Sequence, residues 1–588
     1  MQRARWLGNV WQYPLAMRLD SRTAIYCHEL LHKKYAPNSF PGLTPDQPDP
    51  VVEEFKNLGF SHENKAIDAL EAANPTIIKI EQSKNFDQME LDTVKALLNP
   101  EALIIVGGYI ANLAEQELAK AFGIDFKPTE RSSRPDLIIK VGVRPDGRTA
   151  WAPVDIKSHK AVEKSKSNFI FTSPISNILP AQDTRAEGRL DYNDLHQLAH
   201  YTRHFQALGI DGDDLWVGII GRDLDNCVWA RIGDVVTGSG KAQDSFLSEY
   251  DQQYAAAREV VRLSQIENED LTKKSGVISI NSSGKMGCTV CKYKSTCLKE
   301  MEAFDGGKGH VTLLARVTPL VVEKNFPQIQ SIQDLIEQTP LNDAMVTAQI
   351  RARVWQSEVP ELLDPSTPFE IPEADIEIDI DLENSMEALR ELELDEPLGV
   401  DRLYLYGYGI HDRTVSKDWK TAVIDTFSDY SNTEEGEFEV MSKMWNKLQE
   451  EIKRAESAGK TIKIFHYASH EYSWWKKYAN RYVGRPDVPT LNELEIFKVD
   501  YLVDLYPLAQ KVAFPTKSYS IKDLAPLAGF EWSVEMAGGA NSLLKYKLAI
   551  SKNDDATRQQ ARQWLDAYNR DDVKATFAVR NYLRELAI

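Results

Sequence analysis

The chain has 588 residues, which is too long for a single hydrophobic core, so two or more domains are expected. Its composition, with 43% hydrophobic and 27% charged residues, is typical of a globular protein. The sequence contains no apolar run of the roughly 18–20 residues that a membrane-spanning helix requires, and no recognisable signal peptide. We therefore expect a cytoplasmic protein without a membrane partner.

The formal net charge of −19 is concentrated in one segment. Residues 361–400 contain 14 acidic residues and a single basic residue, Arg390, and carry −13 of that charge. Acidity is therefore a local property. A nucleic-acid channel elsewhere in the chain is therefore compatible with the net charge, although the composition does not itself indicate one.

The first 305 residues alternate helical and strand patterns in the manner of an α/β domain. Apolar spacing predicts helices over residues 50–72, 191–209 and 245–267. Strands are predicted over 215–221 and 226–233, and two more, joined by a turn, within 134–157. Residues 306–365 are predicted to form a helical connector with a break at Pro327 and a proline-rich end.

The two turn-linked strands bring acidic and basic side chains together. Side chains alternate along a strand, so Asp155 and Lys157 share one face, and the hairpin partner can place Asp136 beside them. Two carboxylates bind hard cations such as Mg²⁺ or Mn²⁺, and a nearby ammonium can orient or deprotonate an attacking water. The pattern alone is also compatible with a solvated, charged hairpin.

Further residues in chain order give this hairpin the pattern of a known family. The motif GFSH, with His62, precedes the hairpin, and QLAHY, with Gln197 and Tyr201 one helical turn apart, follows it. Together with RPD and VDIK of the hairpin, these motifs resemble the RecB-like branch of the PD-(D/E)xK nucleases. The resemblance covers roughly the first 305 residues.

The resemblance implies a restriction-endonuclease-like fold and three kinds of role. The ligands of Mg²⁺ or Mn²⁺ would be His62, Asp136, Asp155 and the main-chain carbonyl of Ile156. A histidine ligand favours Mn²⁺ somewhat. Lys157 would act on the attacking water, while Gln197 and Tyr201 would position the nucleic-acid strand.

The five cysteines are too few, and odd in number, for a disulfide framework. Cys288, Cys291 and Cys297 form a C-x2-C-x5-C triplet, and Cys27 lies far upstream. Structural zinc sites usually use two local pairs. A distant cysteine with a local triplet resembles instead the iron–sulfur staple of RecB-like nucleases of the AddB type and of CRISPR-associated exonucleases, which implies a [4Fe–4S] cluster.

A zinc site is the alternative for the triplet. In that case Zn²⁺ would be held by the three cysteines and a histidine, either His28 or His310. Cys227 lies inside a predicted strand and is expected to be a core residue.

A second α/β pattern occupies residues 366–588. The segment IEIDIDLEN (376–384) alternates strictly, and further strands are predicted at 404–410, 420–427 and 461–469. Helices are predicted over 443–460, near 473–482 and over 559–586. The fold class is therefore α/β, in two domains joined by the connector.

Acidic residues at both ends of this second domain indicate another metal centre. Asp379, Asp381 and Glu383 share one strand face, and Tyr568 and Asp572 lie one helical turn apart in YNRDD. DLE on a first strand and Y-x-x-x-D on a last helix resemble the DEDD exonucleases of the ribonuclease H-like fold. An edge strand with a solvated acidic face is the plain alternative.

The middle motif of that family is irregular in this chain. FHYASHE offers Glu471 where the family has an aspartate, one methylene shorter. The resemblance implies that two Mg²⁺ ions would be held by Asp381, Glu383, Glu471 and Asp572. Tyr568 would orient the water, and Asp504 would be either a further ligand or a helix cap. The alternative is a degenerate domain that has lost its activity and is kept for binding or structure.

The two resemblances support each other, because a prokaryotic family joins such domains. They imply a metal-dependent DNA nuclease that acts on single strands or ends, in DNA repair, recombination or defence. No P-loop motif is present, so unwinding would need a partner helicase. The alternatives are a non-catalytic nucleic-acid-binding scaffold and RNA processing by the C-terminal domain. If only one site cuts, we expect it to be the one built on Asp136, Asp155 and Lys157.

Overall fold

The computed structural model describes residues 18–48, 50–74, 76–237, 244–274, 291–367, 369–385, 401–535, 538–551 and 554–587. These residues fall into two compact units that divide between Tyr293 and Lys294, except that Pro50 and Val51 group with the C-terminal unit. In the described part of the chain, no helix is both long and apolar enough to cross a membrane. The predicted domain boundaries at residues 305 and 365 stay predictions.

The N-terminal unit contains six helices and twelve strands among its described residues. The helices are α1 (His28–Tyr35), α2 (Pro50–Ala73), α3 (Phe86–Leu97), α4 (Asn112–Phe122), α5 (Tyr192–Leu208) and α6 (Phe246–Glu269). The strands are β1 (Ile77–Lys79), β2 (Ile104–Val106), β3 (Leu137–Val143), β4 (Thr149–Ile156), β5 (Val162–Glu163), β6 (Phe169–Pro174), β7 (Ala186–Glu187), β8 (Arg189–Leu190), β9 (Trp216–Ile220), β10 (Asn226–Arg231), β11 (Val236–Thr237) and β12 (Asp244–Ser245).

Eight of these strands form one mixed sheet in the order β1-β2-β3-β4-β9-β10-β6-β7. Strands β2, β3 and β4 form an antiparallel meander, and β9 runs parallel to β4. Helix α5 lies between β8 and β9 in the chain and packs Leu195, Leu198 and Tyr201 into a core with Ile219 of β9. The chain therefore has the predicted α/β character here, and the motif residues gather where β4 ends.

The predicted hairpin is formed by β3 and β4, with Leu137 opposite Val154. The first strand begins at Leu137, so Asp136 lies immediately before it. The predicted helices correspond to α2, α5 and α6. Gly209 ends α5 as predicted, because its φ of +65° is a conformation that favours glycine.

The C-terminal unit is longer and more helical. Its helices are α7 (Lys294–Glu302), α8 (Phe304–Gly307), α9 (Pro319–Asn325), α10 (Ile332–Glu337), α11 (Asp343–Ser357), α12 (Glu434–Ser457), α13 (His470–Arg481), α14 (Leu491–Asp500), α15 (Leu505–Ala509), α16 (Ile521–Leu524), α17 (Gly539–Ile550) and α18 (Asp555–Leu586). Its strands are β13 (Glu361–Leu362), β14 (Ile376–Ser385), β15 (Arg402–Asp412), β16 (Val423–Ser428), β17 (Ile462–His466), β18 (Leu502–Asp504) and β19 (Val512–Ala513). Pro327 lies between α9 and α10, where the break was predicted.

Five strands of this unit form a sheet in the order β16-β15-β14-β17-β18. Strand β15 is antiparallel to both neighbours, whereas β17 pairs in parallel with β14 and β18. The acidic strand β14 is therefore central. Its apolar residues Ile376, Ile378 and Ile380 are buried against α12 and α13.

Helix α18 packs against β14 and β15 because β15 carries two glycines on the facing side. A Cβ at Gly407 would overlap the side chain of Asn569, and one at Gly409 would overlap Phe577. Asp381 pairs with Gly407 and Asp379 with Gly409. The motif YLYGYGI thus lets the last helix approach the acidic face of β14.

Candidate active sites

The N-terminal candidate site lies at the ends of β3 and β4. Asp136 precedes β3, and Asp155 is the penultimate residue of β4. The N–H of Ile156 donates a hydrogen bond to Asp136 Oδ2 at 2.7 Å, and the N–H of Asp136 donates to Asp155 Oδ1 at 3.5 Å. The hairpin register therefore brings the two predicted carboxylates together.

Lys157 joins this group through contacts with two elements. Its ammonium lies 3.0 Å from Asp155 Oδ2 and 3.9 Å from Asp194 Oδ1, and it donates a hydrogen bond to Gln197 Oε1 at 2.9 Å. Burial lowers the pKa of Lys157, but the carboxylates of Asp155, Asp136 and Asp194 outweigh burial and raise it. Lys157 is therefore a protonated hydrogen-bond donor at neutral pH.

The carboxylates of this site fit a divalent cation. Burial, and then the neighbouring Asp155 carboxylate, raises the pKa of Asp136 well above its usual range. Asp155 is 1% exposed, and its Oδ2 lies 3.0 Å from the ammonium of Lys157. Adjacent buried carboxylate oxygens are the donors that Mg²⁺ and Mn²⁺ prefer, and a cation would relieve their repulsion.

Gln197 and Tyr201 lie on one face of α5, as predicted. The amide of Gln197 donates to Ser21 Oγ at 3.3 Å and to the Tyr201 hydroxyl at 3.4 Å. The Tyr201 hydroxyl donates to the main-chain carbonyl of Arg134 at 3.2 Å. The pair thus ties α5 to the RPD segment and, through Lys157, to the carboxylates. Ser21 had no sequence signal.

His62 lies on α2, 2% exposed, with Nε2 3.3 Å from the carbonyl oxygen of Gly221. Among the described residues, His62 does not form a close ligand group with Asp136 and Asp155. Its role as a ligand stays a prediction. The adjacent Glu63 was missed: burial raises its pKa, and its carboxylate interacts electrostatically with Arg134, Asp155 and Lys157.

A second group beside Lys157 was also missed. His159, Asp191 and Asp194 hold their ligand atoms within 4.8 Å of one another. His159 Nε2 lies 2.8 Å from Asp194 Oδ2, and Asp191 caps α5 by accepting from the N–H groups of Asn193 and Asp194. The signal for Asp194 was its position one helical turn before Gln197.

The predicted cluster cysteines are divided between the two units. Cys27 caps α1, where its sulfur accepts a hydrogen bond from the N–H of Leu30 at 3.3 Å, and Cys291 lies in the same unit. Cys297 is a buried residue of α7 in the C-terminal unit. Cys288 lies outside the described residues, so the four-cysteine [4Fe–4S] cluster stays a prediction.

The other residues considered with the cysteines have defined environments. Cys227 is fully buried in β10, as predicted, and burial raises the pKa of its thiol well above the usual range. His310, one of the two alternative zinc ligands, has Nδ1 2.7 Å from Thr312 Oγ1. The other, His28, begins α1. Zinc stays an alternative prediction.

The C-terminal candidate site is built from β14 and α18. Of the three acidic residues predicted to share one face of β14, Asp379 is fully buried and paired with Arg580, whose Nη2 lies 2.7 Å from Asp379 Oδ2. The next two, Asp381 and Glu383, meet Asp572 of α18, and the ligand atoms of these three lie within 4.8 Å of one another. Packing against α18 therefore separates a structural carboxylate from a candidate metal centre.

Charge repulsion marks this second centre. Burial, then Asp572 and Glu383, raises the pKa of Asp381 well above its usual range. Burial, and then Asp572, raises the pKa of Glu383 to about 8. Three carboxylates that suppress one another's ionisation fit a divalent cation, which would favour their charged forms.

Neighbouring side chains fix two of the carboxylates. Asn569 Nδ2 donates to Asp381 Oδ2 at 2.7 Å, and Trp532 Nε1 donates to Asp572 Oδ1 at 2.6 Å. Lys522 forms an ion pair with the same Asp572 oxygen. Asn569, Trp532 and Lys522 were missed, although Asn569 follows the predicted Tyr568 directly in the sequence.

Tyr568 and Glu471, the remaining predicted members, lie around the group. Burial, and then Asp572, raises the pKa of the Tyr568 hydroxyl. Glu471, in the first turn of α13, lies outside the three-carboxylate group but contributes to the raised pKa of Asp381, and its Oε2 is 3.2 Å from His466 Nδ1. Both roles stay predictions.

Asp504 was left open as a ligand or a cap, and in the structure it caps α15. Its Oδ1 accepts from the N–H of Tyr506 at 2.9 Å and from that of Ala468 at 3.0 Å. Both hydrogen bonds are local to the turn after β17 and the start of α15, so they account for an aspartate at this position.

A family model for the RNase H superfamily matches residues 415–584. The match spans β16 to α18 and includes Glu471, Tyr568 and Asp572, but it begins after β14 and therefore does not cover Asp381 and Glu383. No curated protein and no solved structure matches the chain. Residues 415–584 are thus ribonuclease H-like, and that superfamily suggests a metal-dependent nuclease, generally with Mg²⁺ or Mn²⁺.

Proposed function

We propose that this chain is a metal-dependent nuclease that hydrolyses DNA, with a carboxylate centre in each unit. The observation that carries the proposal is the convergence of Asp381, Glu383 and Asp572 within 4.8 Å, in a unit that matches the RNase H superfamily. This arrangement concentrates negative charge where only a cation, or a proton, relieves it.

In the C-terminal centre, neighbouring side chains hold the carboxylates in place and would orient the attacking water. Asn569 and Trp532 fix one oxygen each of Asp381 and Asp572, which leaves the other oxygens for the ion. The bound Mg²⁺ or Mn²⁺ would polarise the phosphate and lower the pKa of an attacking water. The hydroxyl of Tyr568, protonated because its pKa is raised, hydrogen-bonds with Asp572 and would orient the attacking water beside that carboxylate.

In the N-terminal centre, Asp136 and Asp155 would hold the ion and Lys157 would direct the reaction. The contacts that support this role are those of the Lys157 ammonium with Asp155 and Gln197. A protonated Lys157 can hold the attacking water or a phosphate oxygen by hydrogen bonding and adds positive charge where negative charge develops. His62 and Glu63, next to each other on α2, are further candidates for metal ligation.

The finer parts of the proposal follow from the RecB-like resemblance. The substrate would be single-stranded DNA or DNA ends, with a helicase as partner and a role in repair, recombination or defence. Cys27, Cys288, Cys291 and Cys297 would hold a [4Fe–4S] cluster, and the protein would work in the cytoplasm. RNA is the second candidate substrate, because an RNase H-like fold does not fix the sugar.

The test compares labelled DNA and RNA strands of one sequence in Mn²⁺. Asp155→Ala and Asp381→Ala each remove one centre, and Asp146→Asn, in the exposed turn of the N-terminal hairpin, is the control. In a chain that also carries Asp381→Ala, we expect Asp155→Ala to lower DNA cleavage by about 100-fold or more, because the ion loses a ligand. If DNA cleavage depends on Asp381 alone, the N-terminal assignment is wrong, and RNA cleavage lost with Asp381→Ala would establish RNA as the C-terminal substrate.

A further inference from the structure

Lys522 brings a fixed positive charge to the C-terminal carboxylate centre. It lies in α16, and its ammonium pairs with Asp572 Oδ1. The same ammonium is 4.0 Å from the ring centroid of Trp532 and 4.4 Å from that of Tyr568. Two aromatic faces and a carboxylate thus hold the ammonium in place, since cations are attracted to aromatic ring faces.

Side chains of this unit contact some of the carboxylate oxygens of the centre. Lys522 and Trp532 both contact Asp572 Oδ1, and Asn569 donates to Asp381 Oδ2. Asp381, Glu383 and Asp572 each place one ligand oxygen within 4.8 Å of the others, as one three-carboxylate group. Glu471 is not a member of it. The arrangement therefore offers one compact cation position with an ammonium at its edge.

The electrostatic interactions also place Lys522 with the three-carboxylate group. Burial raises the pKa of all three carboxyl groups, and Asp572 raises the pKa of Asp381 and Glu383 further, whereas Lys522 lowers all three. The ammonium, which pairs with Asp572, therefore interacts electrostatically with the whole group. A second divalent ion beside Asp572 would have to approach this ammonium and would be repelled by it.

We propose that the C-terminal centre binds one divalent metal ion, and that the Lys522 ammonium takes the position and the charge of a second. The inference rests on the proposed metal-dependent function of this centre and specifies its cation content. Lys522 would stabilise the negative charge that develops on the phosphate oxygens during phosphodiester cleavage.

The test counts Mn²⁺ ions in the full chain by electron paramagnetic resonance of the unbound ion. All variants carry Asp155→Asn, which removes the N-terminal centre. The number at the C-terminal centre is the difference between this chain and one that also carries Asp381→Asn and Asp572→Asn. We expect one ion, and two after Lys522→Met, which removes the ammonium but keeps an unbranched stem.

Two controls separate charge from structure. Lys522→Arg keeps a positive charge and should still bind one ion, even if Lys522→Met perturbs the fold. Lys574→Met removes a lysine whose ammonium lies 3.0 Å from Asp571, the residue before Asp572, and should also leave one ion. Circular dichroism of each variant checks folding.

Each outcome decides between the inference and the function on which it rests. Two ions with Lys522 in place would overturn the inference and leave the proposed function intact. One ion both before and after Lys522→Met would show that the ammonium does not exclude an ion, which also overturns the inference. No ion at all would overturn the proposed metal-dependent function of the C-terminal centre.

Discussion

Arg580→Met should destabilise the C-terminal unit strongly, because it leaves a buried charge without its partner. Arg580 is fully buried, and its guanidinium donates to Asp379 at 3.2 Å and 2.7 Å and also pairs with Glu377. Glu377 keeps Arg413 and Arg584 as partners, whereas Asp379 loses both hydrogen bonds. Removing one partner of a buried ion pair costs about 3–5 kcal/mol.

The pH dependence has a definite sign. Burial raises the pKa of Asp379 to about 6 even with Arg580 present, so the folded protein already binds a proton here more tightly than the unfolded chain does. Without the guanidinium the pKa rises further. A raised carboxyl pKa gives stability that is present at low pH and is lost as pH increases through that pKa. The loss in Arg580→Met should therefore be larger at pH 8 than at pH 5.

Hydrogen exchange, measured by mass spectrometry on peptides from α18 and β14, gives the free energy of opening of these two elements within the full chain. This free energy should fall in Arg580→Met. The matched control is Arg570→Met, also on α18, which removes a one-third exposed guanidinium paired with Asp566 and Asp425. It should cost about 0–1 kcal/mol. If α18 in Arg580→Met keeps its protection within about 1 kcal/mol of the unsubstituted chain, the buried pair does not hold the helix as described.

Three further predictions concern other positions. Gly407→Ala should cost about 1–3 kcal/mol and weaken Mn²⁺ binding, because its Cβ would displace Asn569, which holds Asp381; calorimetric titration with Mn²⁺ measures the second effect. Burial lowers the pKa of His310 to about 4, so the unfolding midpoint in urea should fall as pH drops from about 6.5 to 4, and less so in His310→Gln. Lys157→Ala should slow DNA cleavage by about 10²- to 10⁴-fold while Mn²⁺ still binds, as equilibrium dialysis would show.

Each of these predictions has an outcome that contradicts it. For the glycine, Gly142→Ala is the control, since a Cβ there meets nothing within 4 Å; equal losses in both variants would remove the packing argument. A urea midpoint with the same pH slope in His310→Gln would show that His310 titrates normally in the fold. Loss of Mn²⁺ binding in Lys157→Ala would mean that this residue builds the site and does not act on the reaction.

The parts of the fold that follow from local pattern were predictable. Strict alternation gave β14, and the spacing of apolar residues gave α5 and α18, because period 2 and period 3.6 are imposed by the burial of one face. The same two periods predicted that Asp155 and Lys157 share one strand face. They also predicted that Gln197 and Tyr201, one helical turn apart, share one helix face.

The contacts made across the sheet were not predictable. Alternation placed Asp379, Asp381 and Glu383 on one face with no difference between them. Only the packing of α18 shows that Arg580 pairs with the first, whereas the other two meet Asp572. Such pairings join residues about 200 positions apart, and no local pattern encodes them.

The missed residues share this origin. Glu63, Asp194 and Lys522 are single charged residues on helices, where a solvated surface position is the ordinary expectation. Their proximity to the two centres depends on how α2, α5 and α16 pack. The two alternating glycines of β15, Gly407 and Gly409, are a sequence signal for the close approach of a helix, because a Cβ at either position would overlap α18.

The most direct test of a metal-dependent nuclease uses end-labelled single-stranded DNA and the purified full chain, with Mn²⁺ or with EDTA. We predict cleavage in Mn²⁺, none in EDTA, and none in Mn²⁺ for the double variant Asp155→Asn with Asp381→Asn. Undiminished cleavage by that double variant, with the fold intact by circular dichroism, would contradict the assignment of both centres.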